Sequence, residues 1–326
     1  MKKLLAILLA LAMVFTFAAC GGDTTTDETA GDDAVITTDL EILLEADDNM
    51  INTYSLLAVN PDSPWVDADG NAVEDVAALN TVGADALINW MLSEGAELAA
   101  NYGVDEYGEN LFYLKEDRPV VAEDVIIPEA TEETAAIRIS TTTSVNDSGL
   151  LGYLLPIFEE EYGYTVEVFS AGTGKAIANA KCGNADLILV HAKAQEEQFI
   201  ADGYARVVEG FDAERLAYMY NYFVLVGPSD DPCGVSDMDV LSAFAAIADG
   251  GYKFVSRGDG SGTHTKELAL WPAELGITVE AESFADYTDW YISSNAGMGA
   301  CLLQASEEGA YILSDKATFL TFKAGE

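Results

Sequence analysis

The sequence predicts an α/β fold with two lobes. From Ala136 onward, short apolar segments typical of strands alternate with segments of helical period, the order expected of a parallel sheet covered by helices. The chain has 326 residues, a length that favours two compact lobes over one. Hydrophobic residues make up 50% of the chain, which is too many for a disordered protein and enough for cores that need no disulfide framework.

The charge of the chain excludes two classes of partner. Fifteen Lys and Arg stand against 56 Asp and Glu, so the formal net charge is -41, and the basic residues are scattered along the chain. A charge of this sign repels nucleic-acid phosphates and anionic lipid headgroups unless basic residues cluster. We therefore expect no nucleic-acid partner, and no membrane contact except through an anchor.

The N-terminus has the features of a bacterial secretory leader. Two lysines precede an uncharged apolar run from Leu4 to Ala19, which is shorter than the ~20 residues that cross a bilayer. We predict a signal peptide over residues 1–19. Cys20 follows small residues, as in the lipobox of bacterial lipoproteins, and is the predicted lipidation site; an ordinary cleaved signal is the alternative. Residues 20–35, rich in Thr, Gly and Asp, predict a flexible tether.

The segment before Ala136 is predicted to be mixed. Hydrophobic patterning and turn residues indicate two strands, a loop, two helices and a linker. In order these are strands Leu40–Leu44 and Ser55–Val59, a loop over Asn60–Asn71, helices near Ala72–Asn80 and Ala84–Tyr102, and a linker over residues 119–136.

Beyond the linker, strands and helices alternate. The predicted elements are strand Ile137–Ser140, helix Leu150–Tyr162, strand Thr165–Ser170, helix Thr173–Lys181, strand Asp186–Val190, helix Ala194–Asp202, strand Tyr222–Gly227, helix Val240–Asp249, strand Lys253–Ser256 and helix Thr263–Leu275. In a doubly wound parallel sheet, ligands gather at the carboxyl ends of the strands. The loops that follow these strands are therefore the places to look for a site.

Three of those loops are rich in hydrogen-bond donors. They cover residues 141–144, 171–175 and 257–264, and each precedes a predicted helix. Hydroxyls and flexible backbone at a helix N-terminus, where N–H groups are free and the helix dipole is positive, favour an anion. The predicted anion-binding residues are Thr142, Thr143, Ser144, Thr173, Gly174, Arg257, Ser261, Gly262 and Thr263. For the first loop, simple helix capping is an equally good interpretation.

Two enzymatic interpretations of these loops fail on the motif positions. A P-loop needs Gly at 169 and Ser or Thr at 176, where the chain has Phe169 and Ala176. A nucleophile elbow of the form G-x-S-x-G needs Gly at 259, where Asp259 stands. We expect no enzyme; a serine hydrolase that uses Ser261 and His264 remains the alternative of a different class.

The cysteines indicate no metal site. Cys182, Cys233 and Cys301 are widely spaced, odd in number and without a C-x-x-C pair. This pattern is typical of neither zinc sites nor disulfide scaffolds. A single disulfide among the three stays open at this point, and no cofactor or metal is predicted.

Longer stretches resemble a known family. The third loop is similar to the Arg-x-Asp-Gly-Ser-Gly-Thr loop of phosphate-binding proteins, and seven stretches between residues 141 and 320 are similar, in order, to the tungstate-binding proteins of ABC importers. They read TTTSVNDSGLLGYLLPIFEEEYGYTVEV, GTGKA, ADLILVHA, YNYFVLVGPSDDPCGV, KFVSRGDGSGTHTKELALW, WYISSNAGMG and AYILSDKATFL. One departure is Gly260, where that family often has Asp.

The resemblance implies a function. It suggests a type II periplasmic-binding-protein fold, two lobes that close on tungstate or molybdate, and a monomeric lipoprotein on the outer face of a bacterial membrane. The implied partners are the permease of an importer and its ATPase. Tungstate and molybdate are fully deprotonated near neutral pH, so their site needs donors only, whereas phosphate carries a proton and calls for an acceptor. A phosphate or sulfate receptor of the same fold is the alternative.

The order of the resembling stretches predicts a circular permutation. Residues 40–113 resemble the C-terminal portion of the family, placed here ahead of its N-terminal portion. Two hinge crossings are then expected, at Asn52–Val59 and Tyr220–Gly227. Lobe 1 would cover residues 53–224, and lobe 2 would combine residues 36–52 with 225–326. The alternative is that residues 35–118 form an unrelated N-terminal domain.

Overall fold

The computed structural model describes residues 39–325 and confirms the predicted α/β class. The strands are β1 (Leu40–Leu44), β2 (Ile51–Val59), β3 (Tyr113–Leu114), β4 (Ala136–Thr142), β5 (Thr165–Ala171), β6 (Leu187–Val190), β7 (Ala205–Arg206), β8 (Leu216–Pro228), β9 (Phe254–Ser256), β10 (Tyr291–Ser293) and β11 (Tyr311–Asp315). The helices are α1 (Thr81–Leu92), α2 (Glu94–Asn101), α3 (Val104–Tyr107), α4 (Thr143–Asp147), α5 (Leu150–Tyr162), α6 (Thr173–Lys181), α7 (Lys193–Ala201), α8 (Val240–Gly250), α9 (Gly262–Leu268), α10 (Met298–Glu308) and α11 (Lys316–Ala324). The predicted signal peptide, tether and lipidated Cys20 lie outside the described residues.

The strands form one mixed sheet. Its order is β10-β9-β11-β8-β2-β6-β4-β5, with β1 and β3 also paired to β8 and β7 paired to β2. β4 is parallel to β5 and β6, and β9 is parallel to β10 and β11. Between these parallel groups, β2 and β8 are antiparallel to each other and to their outer neighbours. The expected parallel arrangement therefore holds for each end of the sheet and not for its centre.

Each parallel group is the centre of a lobe. We call the half with β4, β5 and β6 lobe 1, and the half with β9, β10, β11 and β1 lobe 2. Both faces of each group are covered by helices, so its central strands are buried on both sides. In lobe 1 one face packs Trp90 and Phe158 and the other packs Phe199. In lobe 2 one face packs Phe244 and the other packs Leu302.

The two long antiparallel strands carry the chain between the lobes. Asn52 of β2 is paired with Asn221 of β8, and their side chains share a buried hydrogen bond of 3.0 Å. Tyr54 Oη and Asn221 Nδ2 both donate to Oδ2 of the buried Asp315, at 3.2 and 2.5 Å. A satisfied buried polar network of this kind fixes the register of the crossing. Burial raises the pKa of Asp315 to about 6.

Within the predicted crossing Tyr220–Gly227, β8 changes from pairing with β2 to pairing with β11 after Tyr222. Phe223 and Val224, predicted as the last residues of lobe 1, pair with Asp315 and Ser314 of β11 in lobe 2. β2 also begins at Ile51, four residues before the predicted start. The earlier start of β2 has a local cause, because the polar Asn52 and Thr53 pair with Asn221 and Tyr220 although they show no apolar pattern.

Three predicted helices differ in the structure. Residues 72–80 contain no helix; this stretch lies against lobe 1, where Asn80 N donates to Asp186 Oδ1 at 2.9 Å. The helix expected over 84–102 is broken at Ser93, whose hydroxyl bonds back to Asn89 O at 2.7 Å. The helix expected over 263–275 ends at Leu268, because Pro272 cannot continue it.

Elsewhere local signals were sufficient. Helix α5 has the predicted bounds, with its buried residues one turn apart and an end at Gly163, which has a φ of 76°. Residues 119–135 contain neither helix nor strand, as expected of the linker. The three cysteines among the described residues are free, so no disulfide forms between them. No described helix combines the length and apolarity that a membrane span requires.

Candidate functional site

The three polar loops predicted from the sequence come together where lobe 1 meets lobe 2. Ser144 Oγ of the first loop lies 3.0 Å from Nε2 of His191. The same imidazole lies against the backbone of the third loop, since a Cβ atom at Gly262 would collide with it. The second and third loops line one cavity of about 460 Å³, called the loop cavity here. Its lining residues are Gly172, Gly174, Lys175, Asp259, Gly260, Asn295, Ala296 and Gly297.

The first loop offers hydroxyl groups that do not cap a helix. Thr142 ends β4 and precedes α4, but neither its side chain nor another caps that helix. Instead, Thr142 Oγ1 lies 3.1 Å from Ser144 Oγ, which in turn contacts His191. Thr142 and Ser144 are buried, and Thr143, the first residue of α4, is half-buried. The capping interpretation is therefore not what the structure shows for this loop.

The second loop contains a buried hydroxyl group without a partner. Thr173 and Gly174 begin α6, a nine-residue helix, and Gly174 lines the loop cavity. Thr173 is 0% exposed, and its Oγ1 has no hydrogen-bond partner among the described residues. An unsatisfied buried hydroxyl costs about 1–3 kcal/mol, so it is retained where a ligand or water completes it.

The third loop contains the guanidinium of the site. Arg257 is only 6% exposed; its Nη2 donates to Asp259 Oδ2 at 2.6 Å, while its Nε is buried without a partner among the described residues. The other oxygen of Asp259 accepts from Ser261 N at 3.0 Å. Ser261 Oγ caps α9 by accepting from His264 N at 3.3 Å. Arg257 Nε is therefore a free donor of this loop among the described residues, and the first N–H groups of α9, at Gly262 and Thr263, are ones that a helix leaves without an intrahelical partner.

A buried carboxyl group stabilises the third loop through hydrogen bonds. Glu267 Oε2 accepts from Ser256 Oγ at 2.6 Å, and Ser256 Oγ accepts from Gly258 N at 3.2 Å. Gly258 has a φ of 62° and lies so close to Ser293 that a side chain there would collide with it. Burial raises the pKa of Glu267 to about 7. These contacts hold the backbone on both sides of Arg257.

The two histidines have different surroundings. His264 Nδ1 accepts from Gly260 N at 3.0 Å, and no hydrogen bond joins its ring to Ser261 Oγ in the described part of the chain. The geometry of a hydrolase pair is therefore not formed. Burial, with smaller effects from Arg257 and Lys266, lowers the pKa of His191 to about 4, so this imidazole is neutral at neutral pH. His191 lies between the first and third loops.

A fourth loop was missed by the sequence reasoning. Residues 295–297 line the loop cavity and precede α10, which has eleven residues. Ala296 N donates to Arg257 O at 3.2 Å, and Asn295 adopts a left-handed backbone with a φ of 53°. The sequence does contain a signal for this loop, because Ser-Ser-Asn-Ala-Gly is a short run of small and polar residues between a strand and a helix. The three predicted loops have the same character.

The donor set suits an anion with no proton of its own. The residues that face the loops supply hydroxyls, backbone amides and one guanidinium, and both oxygens of Asp259 are already engaged by donors. No cluster of metal-ligating side chains occurs among the described residues. In a site with little water, fixed dipoles and one buried cation outweigh distant carboxylates that salt screens.

Comparison with known proteins identifies the family. Residues 128–326 match the model of the PBP superfamily domain, and this range contains all four loops. The chain belongs to this family. It is 45% identical over 199 residues to the tungstate-binding protein TupA of Peptoclostridium acidaminophilum, a match that covers 60% of this chain and 64% of that protein. A TupA of Campylobacter jejuni is 33% identical over 183 residues, covering 56% of this chain and 63% of that protein.

Part of this chain is also similar in sequence to a protein of known structure. The tungstate ABC transporter protein from Geobacter sulfurreducens is 41% identical, with 58% of this chain and 75% of that chain covered and a TM-score of 0.48. This PBP-family chain therefore spans less than two thirds of the length of the curated relatives it matches. Residues 39–127, which supply β1, β2 and helices α1–α3, lie outside the range of the family match.

Proposed function

We propose that this protein is an extracytoplasmic solute-binding protein that captures tungstate or molybdate for an ABC importer. The observation that carries the proposal is a pair of buried donors without partners, Thr173 Oγ1 and Arg257 Nε, on two loops that line one cavity. Two lobes each supply one of these donors. An oxyanion between them would satisfy both, and the named relatives bind tungstate.

The charge state of the ligand distinguishes the candidates. Tungstate and molybdate are dianions at neutral pH and need donors on every oxygen, whereas phosphate carries a proton that calls for an acceptor. The nearest carboxylate, Asp259, already accepts from Arg257 and from Ser261 N. A phosphate proton would have to share an Asp259 oxygen with one of these donors, so the arrangement favours the dianions; sulfate is distinguished by its smaller size.

Calorimetry with four anions tests the assignment. Tungstate and molybdate should bind one to one without added metal or cofactor, and sulfate and phosphate should bind far more weakly. A ligand at 100 times its dissociation constant adds about 2.7 kcal/mol of stability, so thermal shifts give an independent readout. Heat and thermal shift with phosphate, and neither with tungstate or molybdate, would overturn the proposal.

The proposal extends to partners and location. We infer a monomeric receptor that delivers the anion to a permease and its ATPase, held at the outer face of the cell membrane by a lipid on Cys20. The support for the anchor is the leader sequence alone, because Cys20 lies outside the described residues. Changing Cys20→Ser should move the protein from the membrane fraction to the soluble fraction without altering tungstate affinity; a protein that stays with the membrane would contradict the anchor.

We also infer that the chain order is circularly permuted. The family match begins at residue 128, yet earlier segments complete both lobes. β1 pairs with β8 in the lobe that contains Arg257, and in lobe 1 the ring of Trp90 in α1 lies 5.4 Å from Phe158 in α5. These contacts support one shared fold over a separate N-terminal domain.

A rearranged gene tests the permutation. Residues 128–325 would be placed first and joined through a flexible linker to residues 39–118, with two linker lengths compared. If the order is a permutation, at least one version should fold cooperatively and bind tungstate like the natural chain. Loss of folding with both linkers would count against it.

A further inference from the structure

A second cavity lies between the lobes and is not part of the loop site. It has a volume of about 540 Å³ and is lined by residues of both lobes and of the crossing strand β2. We call it the lysine cavity, because Lys115, Lys193, Lys266 and Arg215 all line it. His191 and Gly262 also line it, so these two residues form the wall between the lysine cavity and the loops of the oxyanion site.

Four cations in one cavity are unusual for so acidic a chain. Eleven of the 13 Lys and Arg among the described residues form an ion pair with a described carboxylate. The two that do not are Lys175, which lines the loop cavity, and Lys266, which lines the lysine cavity. The positive charges that the described carboxylates leave uncompensated thus lie at the two cavities.

Lys266 lacks a counter-ion within residues 39–325 although it is half-buried. Its Nζ donates to the backbone oxygen of Asn49 at 3.0 Å, and burial lowers the pKa of its ammonium group. The other cations of the cavity form ion pairs with carboxylates that do not line it; Lys193 Nζ, for example, lies 3.6 Å from Glu197 Oε1. A bound anion would supply the compensation that Lys266 lacks.

The rest of the lining combines an apolar surface with the polar residues Asn52, Thr53, Gln195 and Thr265. Ile51 and Phe223 lie on the crossing strands, and three alanines come from the loop before α7, from α7 and from the end of α9. The volume lies within the range of about 300–1,000 Å³ that is typical of sites for small organic ligands. A bare oxyanion would leave this apolar surface uncovered, whereas an anion with an apolar body would bury it.

We propose that the lysine cavity is a second anion site, which takes a small organic anion with a phosphate or carboxylate head on an apolar body. The head contacts Lys266 of lobe 2 and Lys193 of lobe 1, and the body packs against Phe223. Since both lobes contribute, the ligand binds when the lobes have the relative position seen here, in which Gly262 lies against His191. The inference does not depend on the identity of the anion in the loop site.

Calorimetry with defined probes tests the proposal. Phenyl phosphate and benzoate represent the two head groups, inorganic phosphate lacks the apolar body, and benzyl alcohol lacks the charge. We expect at least one of the two aromatic anions to bind the full-length protein, with inorganic phosphate and benzyl alcohol weaker by about tenfold or more. Equal binding of inorganic phosphate would overturn the proposal, as would no binding of either aromatic anion.

Matched variants locate the probe. Lys266→Gln should weaken binding of the aromatic anion by about tenfold. Lys193→Gln, on an exposed helix surface, should weaken it by a few-fold. Lys253→Gln, at an exposed lysine paired with Glu308, and Arg257→Gln, in the loop site, should leave the probe unchanged. The affinity for tungstate should show the reverse pattern: it should fall in Arg257→Gln and stay unchanged in Lys266→Gln.

The two proposals then fail separately. If the probe is insensitive to both lysine variants, or is lost in Arg257→Gln, the lysine cavity is not its site and the inference is wrong. If tungstate does not bind while the probe responds to Lys266→Gln as expected, the proposed function fails and the second site stands. Unfolding curves of each variant without ligand show whether a loss of binding comes from a loss of fold.

Discussion

The loops that lobe 1 and lobe 2 bring to the oxyanion site differ in kind. Those of lobe 1 offer hydroxyls and carry no buried charge; Thr173 Oγ1 is buried without a described partner. The loop of lobe 2 carries a buried guanidinium, already paired with Asp259 and braced by Glu267. Lobe 1 therefore supplies buried dipoles, with the exposed Lys175 as its charge at the loop cavity, and lobe 2 supplies the buried charge.

This difference explains why the site needs both lobes. A dianion held by hydroxyls alone would lack charge compensation, and one held by Arg257 alone would compete with Asp259 in water. In the proposed function, the anion is removed from water and surrounded by donors only when the lobes come together, which strengthens each contact. Variants of each side can therefore test how the binding energy is divided.

The largest effect is expected at Arg257. Arg257→Gln removes the buried cation, and calorimetry should show tungstate binding weakened by on the order of 2–5 kcal/mol, because a desolvated dianion is left under-compensated. Arg257→Lys keeps the charge but loses the planar guanidinium with its several N–H donors, so the loss of tungstate affinity should be smaller. Arg118→Gln, at an arginine 3.7 Å from the exposed Glu97, is the control and should not change affinity. Unchanged affinity in Arg257→Gln would mean that lobe 2 does not supply the charge.

The second-largest effect is a pH dependence of the free energy of unfolding that arises at the lobe 2 loop. The pKa of Glu267 is about 7 in the folded protein against 4.5 ordinarily, so the folded state holds the proton more tightly. Its contribution to the free energy of unfolding is fully present below pH 4.5 and is lost as pH rises to about 7. Glu267→Gln should flatten this decline by on the order of 1–3 kcal/mol, measured by urea unfolding between pH 5 and 8. Asp315, with a pKa of about 6, keeps its own smaller decline in both proteins. An unchanged slope would show that Glu267 is not the titrating group.

On the lobe 1 side, Thr173→Val tests the unpaired hydroxyl. Tungstate affinity should fall by about 1–2 kcal/mol, while the free energy of unfolding without ligand should stay the same or rise, since no protein hydrogen bond is lost. Ser148→Ala is a matched control, because this buried hydroxyl already donates to Val145 O at 2.8 Å and should affect stability but not affinity. A Thr173→Val protein with lower stability and full affinity would contradict the role in binding.

The smallest change concerns the carboxylate that competes for Arg257. Asp259→Asn keeps an acceptor for Ser261 N but removes the negative charge 2.6 Å from the guanidinium. Tungstate should bind more tightly, by up to about tenfold, or 1.4 kcal/mol. If affinity falls instead, Asp259 serves to position Arg257 rather than to compete with the ligand, and the comparison between the lobes would need that correction.

Local patterns in the sequence determined much of this protein. The apolar spacing of residues 150–162 and the glycine that follows them are sufficient for α5, and the hydroxyls and Arg257 at strand-to-helix junctions identified three of the four loops. These signals depend on neighbours within a few residues, where helical period, caps and turns act. Family resemblance added the proposals for the anion and for the order of the segments.

Tertiary structure alone decided the rest. The pairing of Asn52 with Asn221 joins residues 169 positions apart, and it extends β2 beyond its apolar pattern. Contacts with lobe 1 keep residues 72–80 out of a helix, and the position of His191 against Gly262 depends on how the lobes meet. The absence of a described hydrogen-bond partner for Thr173 Oγ1, and of a described counter-ion for Lys266, is likewise a property of the assembled fold. A sequence shows which groups can donate or carry charge, but burial and pairing are set by residues far apart in the chain, and they decide which of those groups remain available to a ligand.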